Sequence, residues 1–271
     1  MTVSSSGSST SRPQQADTSG PVLFVRYAYP PNLHGYCGPN DTGSFVAYGR
    51  TGQIDTGFVE LAQAFSGAWP YLELIAGATG ISDPLDHRVV EAYWVGNPLL
   101  DRVGPVALGG SMEERFRRTT GRQFGSLTEG VLAGGVPHHS FHVFCIYPWV
   151  GLLGHDRRGA DALNVLDRCR IRWGQVQSVT GEQAVIESRP LRFDGRRLSL
   201  GEPEREIAQC SLAGTDVGGE LRPGDWVSLH WEWVCDRLTE RQVAILRRYT
   251  LLHLAVVNDR VANSGAVLAL G

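Results

Sequence analysis

The chain has 271 residues, 42% hydrophobic and 20% charged, with 25 basic against 28 acidic side chains, a globular composition long enough for one large domain or two ordinary ones. Every basic residue is an arginine, which excludes Schiff-base and pyridoxal phosphate chemistry and a Walker-type phosphate loop, each of which needs a lysine amine. The net charge of -3, with arginines in isolated pairs rather than stripes, argues against nucleic-acid binding, and no apolar run reaches the length of a membrane span.

Residues 1–20 are rich in Ser, Thr, Gly and Gln and lack the apolar core of a signal peptide, so a disordered tail on a cytoplasmic protein is expected. Cys37, Cys145, Cys169, Cys210 and Cys235 are odd in number and form no C-x-x-C pair, which fits reduced thiols better than a disulfide scaffold or zinc knuckle. Residues 21–166 read as mostly helical. Residues 26–32 and 35–39 form a dense loop in which Gly35 and Gly38 flank Cys37. Phe58, Leu61, Ala62 and Phe65 mark a helix, and residues 69–78 a buried one. Asp83-Pro84 supplies a cap and first-turn proline for a helix carrying Val89, Val90, Tyr93 and Trp94, which Gly96 ends. Ser111 with Glu114 reads as a capping box for a helix that stops at Gly121. Gly134, Gly135 and Pro137 break the pattern, and residues 159–166 form a connecting helix.

After Arg168 the period shortens. Ile171, Trp173, Val176 and Val179 lead to a turn at Thr180-Gly181, with Ala184, Val185 and Ile186 on the returning strand. Asp194-Gly195 is a hairpin turn. Strands are expected at residues 205–210 and, after Pro223-Gly224-Asp225, at residues 226–234. Thr239 and Gln242 then open a helix carrying Val243, Ile245, Leu246, Tyr249 and Leu252. The expected fold class is α+β: a mostly helical region over 21–166, a small antiparallel β-barrel with a helix over 167–258, and a tail over 259–271.

Several residues are candidates for chemistry. Arg26, Tyr36 and Cys37 in the glycine-flanked loop, with Asn97 and Asp101 after Gly96, are candidates for cofactor contact, and a structural turn is the alternative. His138, His139, His142 and Cys145 lie within eight positions and are candidate metal ligands, set against hydrogen-bonded packing. In a helix, His138 and His142 would meet at i,i+4. In a strand they would share one face with Ser140. Cys235-Asp236 is a lesser candidate, and Trp231 and Trp233 are expected to face opposite to His230 along one strand.

Cys169-Arg170-Ile171-Arg172-Trp173-Gly174-Gln175-Val176 resembles the Cys-x-x-x-x-Gly-x-Val opening of the HypC/HupF hydrogenase maturation chaperones. Leu221-Arg222-Pro223-Gly224-Asp225-Trp226-Val227-Ser228-Leu229-His230 resembles that family's Gly-Asp-Tyr-Val-x-x-His strand, and the resemblance covers about a third of the chain. It implies a HypC-like barrel, Cys169 as a thiolate ligand with His230 as its companion, and iron carried as a transferred centre. The implied partners are the hydrogenase large subunit or other maturation proteins. A thiolate is a soft ligand suited to such iron, and an imidazole can ligate or orient beside it. Two features depart from the family: Cys169 lies deep in the chain rather than at the amino terminus, and Arg172-Trp173 replaces a proline. As a whole the chain also resembles an uncharacterised family encoded beside actinobacterial-type nickel–iron hydrogenases.

The expectation is an accessory or maturation protein for nickel–iron hydrogenase, a metal-centre chaperone or large-subunit binding factor rather than an enzyme. The alternatives are a metal-dependent enzyme built from Cys37, His138, His139 and His142, and a metal-free scaffold. A serine hydrolase and a dinucleotide enzyme have no motif behind them, since G-x-S-x-G and G-x-G-x-x-G are both missing.

Overall fold

The computed structural model describes residues 19–51, 55–120, 131, 133–155, 157–212, 215–216 and 220–269. The tail expected over 1–20 falls outside these except at its end, where Gly20 already opens helix α1 (Gly20–Leu33). A Cβ at Gly20 would lie 1.8 Å from the Leu85 carbonyl oxygen, so this contact requires glycine. Residues 26–32, expected in a loop, are helical, and Pro30 and Pro31 lie inside α1. Pro31 has no N–H, so the Tyr27 carbonyl four residues earlier loses its helical donor and is available for a tertiary bond.

The helices that follow are α2 (Thr42–Thr51), α3 (Thr56–Gln63), α4 (Trp69–Thr79), α5 (His87–Trp94) and α6 (Pro105–Thr120), with a 3-10 turn at Pro98–Arg102. The apolar stripe of α5 is buried as expected. Its cap is Asp86, which accepts from the Arg88 N–H at 2.9 Å, whereas the expected Asp83 closes a turn onto the Leu85 N–H at 2.8 Å. Helix α6 starts six residues before Ser111, so the Ser111–Glu114 pair sits inside a helix rather than at its start. Its expected stop at Gly121 lies outside the described residues. A short helix α7 (His139–Phe141) runs into a π turn (His142–Ile146) and a 3-10 turn (Pro148–Leu152). Helix α8 (Gly159–Cys169) then leads to the strands.

The strands are β1 (Arg172–Thr180), β2 (Gln183–Ser188), β3 (Leu191–Phe193), β4 (Leu198–Leu200), β5 (Glu204–Gln209), β6 (Ser211–Leu212), β7 (Thr215–Asp216), β8 (Trp226–His230) and β9 (Trp233–Leu238), followed by helix α9 (Glu240–Ala269). The architecture is α+β, with nine helices and a five-stranded main sheet among the described residues. In that sheet β1 pairs antiparallel with β2 and β8, β2 with β5, and β8 with β9. The end strands β5 and β9 meet only at Gln209 and Trp233, in parallel. The small antiparallel barrel expected from the sequence is therefore met only in part: four pairings are antiparallel, and the ring of strands meets through one parallel pair. Five strands cannot alternate direction all the way round a ring, and the mismatch falls on this one-pair seam.

Alternation sets the two faces. Val176, Ala184, Ile186, Ala208, Val227, Leu229 and Val234 fill the space inside the curled sheet. Ser228 and His230, on the other face of β8, meet α1, where the Tyr27 hydroxyl and the Ser228 hydroxyl lie 2.7 Å apart. A second, larger core runs from Phe24, Phe58 and Trp94 through Phe141 and Cys169 to Trp231, Leu246 and Val257, joining the helical region to the C-terminal helix. The single strand expected over 226–234 is a hairpin that turns at Trp231. This residue has φ 54°, rare for a bulky side chain. It is held there because its N–H donates to the Arg168 carbonyl at 2.8 Å and its carbonyl accepts from the Arg172 guanidinium at 2.6 Å. Trp231 therefore does not alternate with His230. The capping box opens α9 as expected, with the Gln242 N–H bonded to the Thr239 hydroxyl at 3.2 Å and the Thr239 N–H to the Gln242 side chain at 2.8 Å. Helix α9 runs through residues 259–269, where a tail was expected. Among the described residues no helix is long and apolar enough to cross a membrane.

Candidate metal centre

His230 sits at the end of β8, fully buried. Its Nδ1 lies 2.6 Å from the Tyr27 carbonyl oxygen, the acceptor released by Pro31. A carbonyl can only accept, so Nδ1 carries the proton and Nε2 keeps the lone pair. That Nε2 is buried and makes no hydrogen bond among the described residues, though the Cys169 carbonyl as well as that of Tyr27 pulls on the ring. Cys169 is the last residue of α8, and its thiol is buried. His139 comes from α7, its Nε2 2.8 Å from the Cys169 carbonyl oxygen and its Nδ1 3.1 Å from the Tyr93 hydroxyl. One ligating atom each from His139, Cys169 and His230 lies within 4.8 Å of the others.

The electrostatics suit neutral ligands. Burial holds the His139 imidazole down at about 4, against the pull of the Cys169 carbonyl. It also holds His230 well below its ordinary value, with His139 adding to the effect. Both rings are uncharged at neutral pH, the form that binds metal. Burial raises the Cys169 thiol above its usual range, and Cys37 raises it further. Without a cation this thiol stays protonated, and a bound metal would displace the proton.

A chain of contacts runs from the Gly67 carbonyl to the Tyr93 hydroxyl at 2.8 Å, then to His139, then to the Cys169 carbonyl.

Beside the cluster is a cavity of about 20 Å³ lined by His139, Cys169, Cys37, His142, Tyr93 and Tyr147, among others. That is room for about one water-sized body, such as a metal ion. His142 reaches it from the π turn, with its Nδ1 3.3 Å from the Tyr71 hydroxyl.

The other candidates lie elsewhere. His138 does not meet His142. It caps α7, accepting from the Ser140 N–H at 3.1 Å, and Ser140 links it to His253 of α9 through two 2.7 Å bonds. Arg26 pairs with Asp236 at 3.4 Å, and Cys235 is fully buried in the core. Tyr36 stacks on Trp231, with ring centres 4.6 Å apart, and lines a separate open cavity of about 390 Å³. Asn97 caps the 3-10 turn through the Leu99 N–H at 3.0 Å and donates to the Arg88 carbonyl and to Glu91, each at 2.8 Å. Asp101 is exposed in that turn. The sequence reading did not assign Tyr93 a place beside His139 or foresee His253. For Tyr27 a signal was present: a proline four residues after Tyr27 marks a carbonyl without its helical donor.

No curated protein and no solved structure matches the chain. A family profile matches residues 16–264, and the chain belongs to that family, described as a family of unknown function, DUF6390.

Proposed function

We propose that the protein is a metal-centre accessory factor in which His139, Cys169 and His230 hold a soft first-row transition-metal ion. The observation that carries this reading is the cluster itself, one ligating atom from each of three buried residues within 4.8 Å of the others, together with a buried His230 Nε2 that makes no hydrogen bond among the described residues. The resemblance of residues 169–176 and 221–230 to HypC/HupF chaperones supplies the context. On that reading the five-stranded sheet with its C-terminal helix is HypC-like, the ion is iron carried as cargo, and the partners are the nickel–iron hydrogenase large subunit or other maturation proteins. The cavity volume weighs against the enzyme reading at this place, because a space of about 20 Å³ admits no organic substrate.

Anaerobic titration with Fe(II), followed by desalting and elemental analysis, tests metal binding. The wild type should retain one equivalent, Cys169→Ser and His230→Ala should lose it, and His253→Gln, in the separate histidine cluster, should keep it. Retention unchanged by Cys169→Ser overturns the proposal. A pull-down from hydrogenase-expressing cells that recovers neither large subunit nor maturation protein overturns the hydrogenase context.

A further inference from the structure

We propose that Cys37 is the fourth ligand of this site, completing a shell of two thiolates and two imidazoles around a soft divalent metal ion. The inference rests on the metal-centre reading above. Cys37 comes from the loop after α1, far in sequence from Cys169, yet both line the same small cavity with His139.

The loop is built to bring it there. The Asn32 amide holds the carbonyls of Cys37 and Pro39 at 2.9 and 2.7 Å. Gly38 has φ +88° and passes so close beneath Phe65 that a Cβ would lie 2.4 Å from its ring. From outside, Tyr36 stacks on Trp231, and His34 Nε2 lies 2.9 Å from the Glu232 carboxylate. These contacts fasten the loop to the hairpin that carries His230.

Charge gives an independent argument. A divalent ion held by one thiolate and two neutral imidazoles leaves a net positive charge in a space walled in part by Pro31, Phe65 and Trp94, and an uncompensated buried charge is costly. A second thiolate makes the centre neutral. Cys37 lies outside the group of atoms within 4.8 Å, so ligation needs its side chain to turn further into the cavity that it already lines. As each S–metal bond forms, the S–H bond breaks and the proton passes to solvent.

Co(II) added anaerobically to the full chain counts the thiolates, because the thiolate-to-cobalt charge-transfer band grows with each sulfur bound. We expect Cys37→Ser and Cys37→Ala to bind one Co(II) with about half the wild-type intensity, and Cys145→Ser, at a buried thiol outside the site, to keep it all. Circular dichroism of the metal-free variants controls for folding, and the two Cys37 substitutions guard against failure of either one. Full intensity per cobalt in both Cys37 variants overturns this inference alone. No band in the wild type, or a band unchanged by Cys169→Ser, overturns the metal-centre reading along with it.

Discussion

Glu206 holds together the region from which Cys169 and His230 emerge. Its carboxylate accepts from the Arg172 guanidinium at 3.0 and 3.3 Å, from Arg168 at 2.9 Å and from the Ser188 hydroxyl. The Arg172 side chain is 2% exposed, that of Glu206 18%. In Glu206→Gln the guanidinium stays buried without its counter-charge, a class of change that costs about 3–5 kcal/mol. Arg172 keeps the carbonyls of Asp167, Arg168 and Trp231 at 3.1, 3.3 and 2.6 Å. With the partial exposure of Glu206, these bring the figure to the low end, about 3 kcal/mol. For a chain of this size that is a midpoint lowered by about 6–12 °C.

Acid supplies the sharper check. Burial pushes the Glu206 carboxyl up, but Arg172, Ser188 and Arg168 together outweigh it and hold the group below its ordinary value. A depressed carboxylate contributes stability that is present above its unfolded value, about 4.3, and is lost as pH falls through the folded value. Thermal and urea unfolding should therefore separate wild type from Glu206→Gln fully at pH 7, with the gap narrowing below about pH 4. A loss under about 1 kcal/mol at pH 7, or a gap unchanged in acid, would refute the argument.

Gly38→Ala places a Cβ against Phe65 at a left-handed φ. It should cost about 2 kcal/mol or more by urea unfolding, and a neutral effect would show that the loop is not fixed as described. Asp236 is buried, and burial outweighs its 3.4 Å contact with Arg26, raising its carboxyl to about 6. A raised carboxyl contributes stability that is full below the unfolded value and lost as pH rises through the folded one, so the wild type should lose roughly 3 kcal/mol relative to Asp236→Asn between about pH 4 and pH 6. Parallel stability curves across that window would contradict it. Thr239→Ala removes the side-chain cap of α9 and should cost about 1 kcal/mol by thermal unfolding, and no change would mean the first turn is held by packing alone.

Local signals were legible where the backbone satisfies itself nearby. The Asp194-Gly195 turn, with its carboxylate accepting from the Arg196 and Arg197 N–H groups at 2.8 and 2.7 Å, is one case. The stripe of α5 is another. The failures share a cause. Pro30-Pro31 reads as a loop locally, yet the segment is helical because its faces are buried and the Tyr27 carbonyl finds His230. The strand through Trp231 breaks because Arg168 and Arg172 grip that residue from outside the hairpin.

The sequence alone determined the residue types open to chemistry: no lysine, five thiols and a dense run of imidazoles. It also determined that helices precede strands, because hydrophobic period and turn chemistry act over a few residues. Only the tertiary structure decided which of those groups meet. Helical spacing pairs His138 with His142, but the short helix and π turn send His138 toward His253 and His139 toward Cys169 and His230. Periodicity sets which face of an element a side chain occupies, whereas the neighbour across that face is set by how distant elements pack. The cluster of α7, α8 and β8 exists only once the core between them has closed.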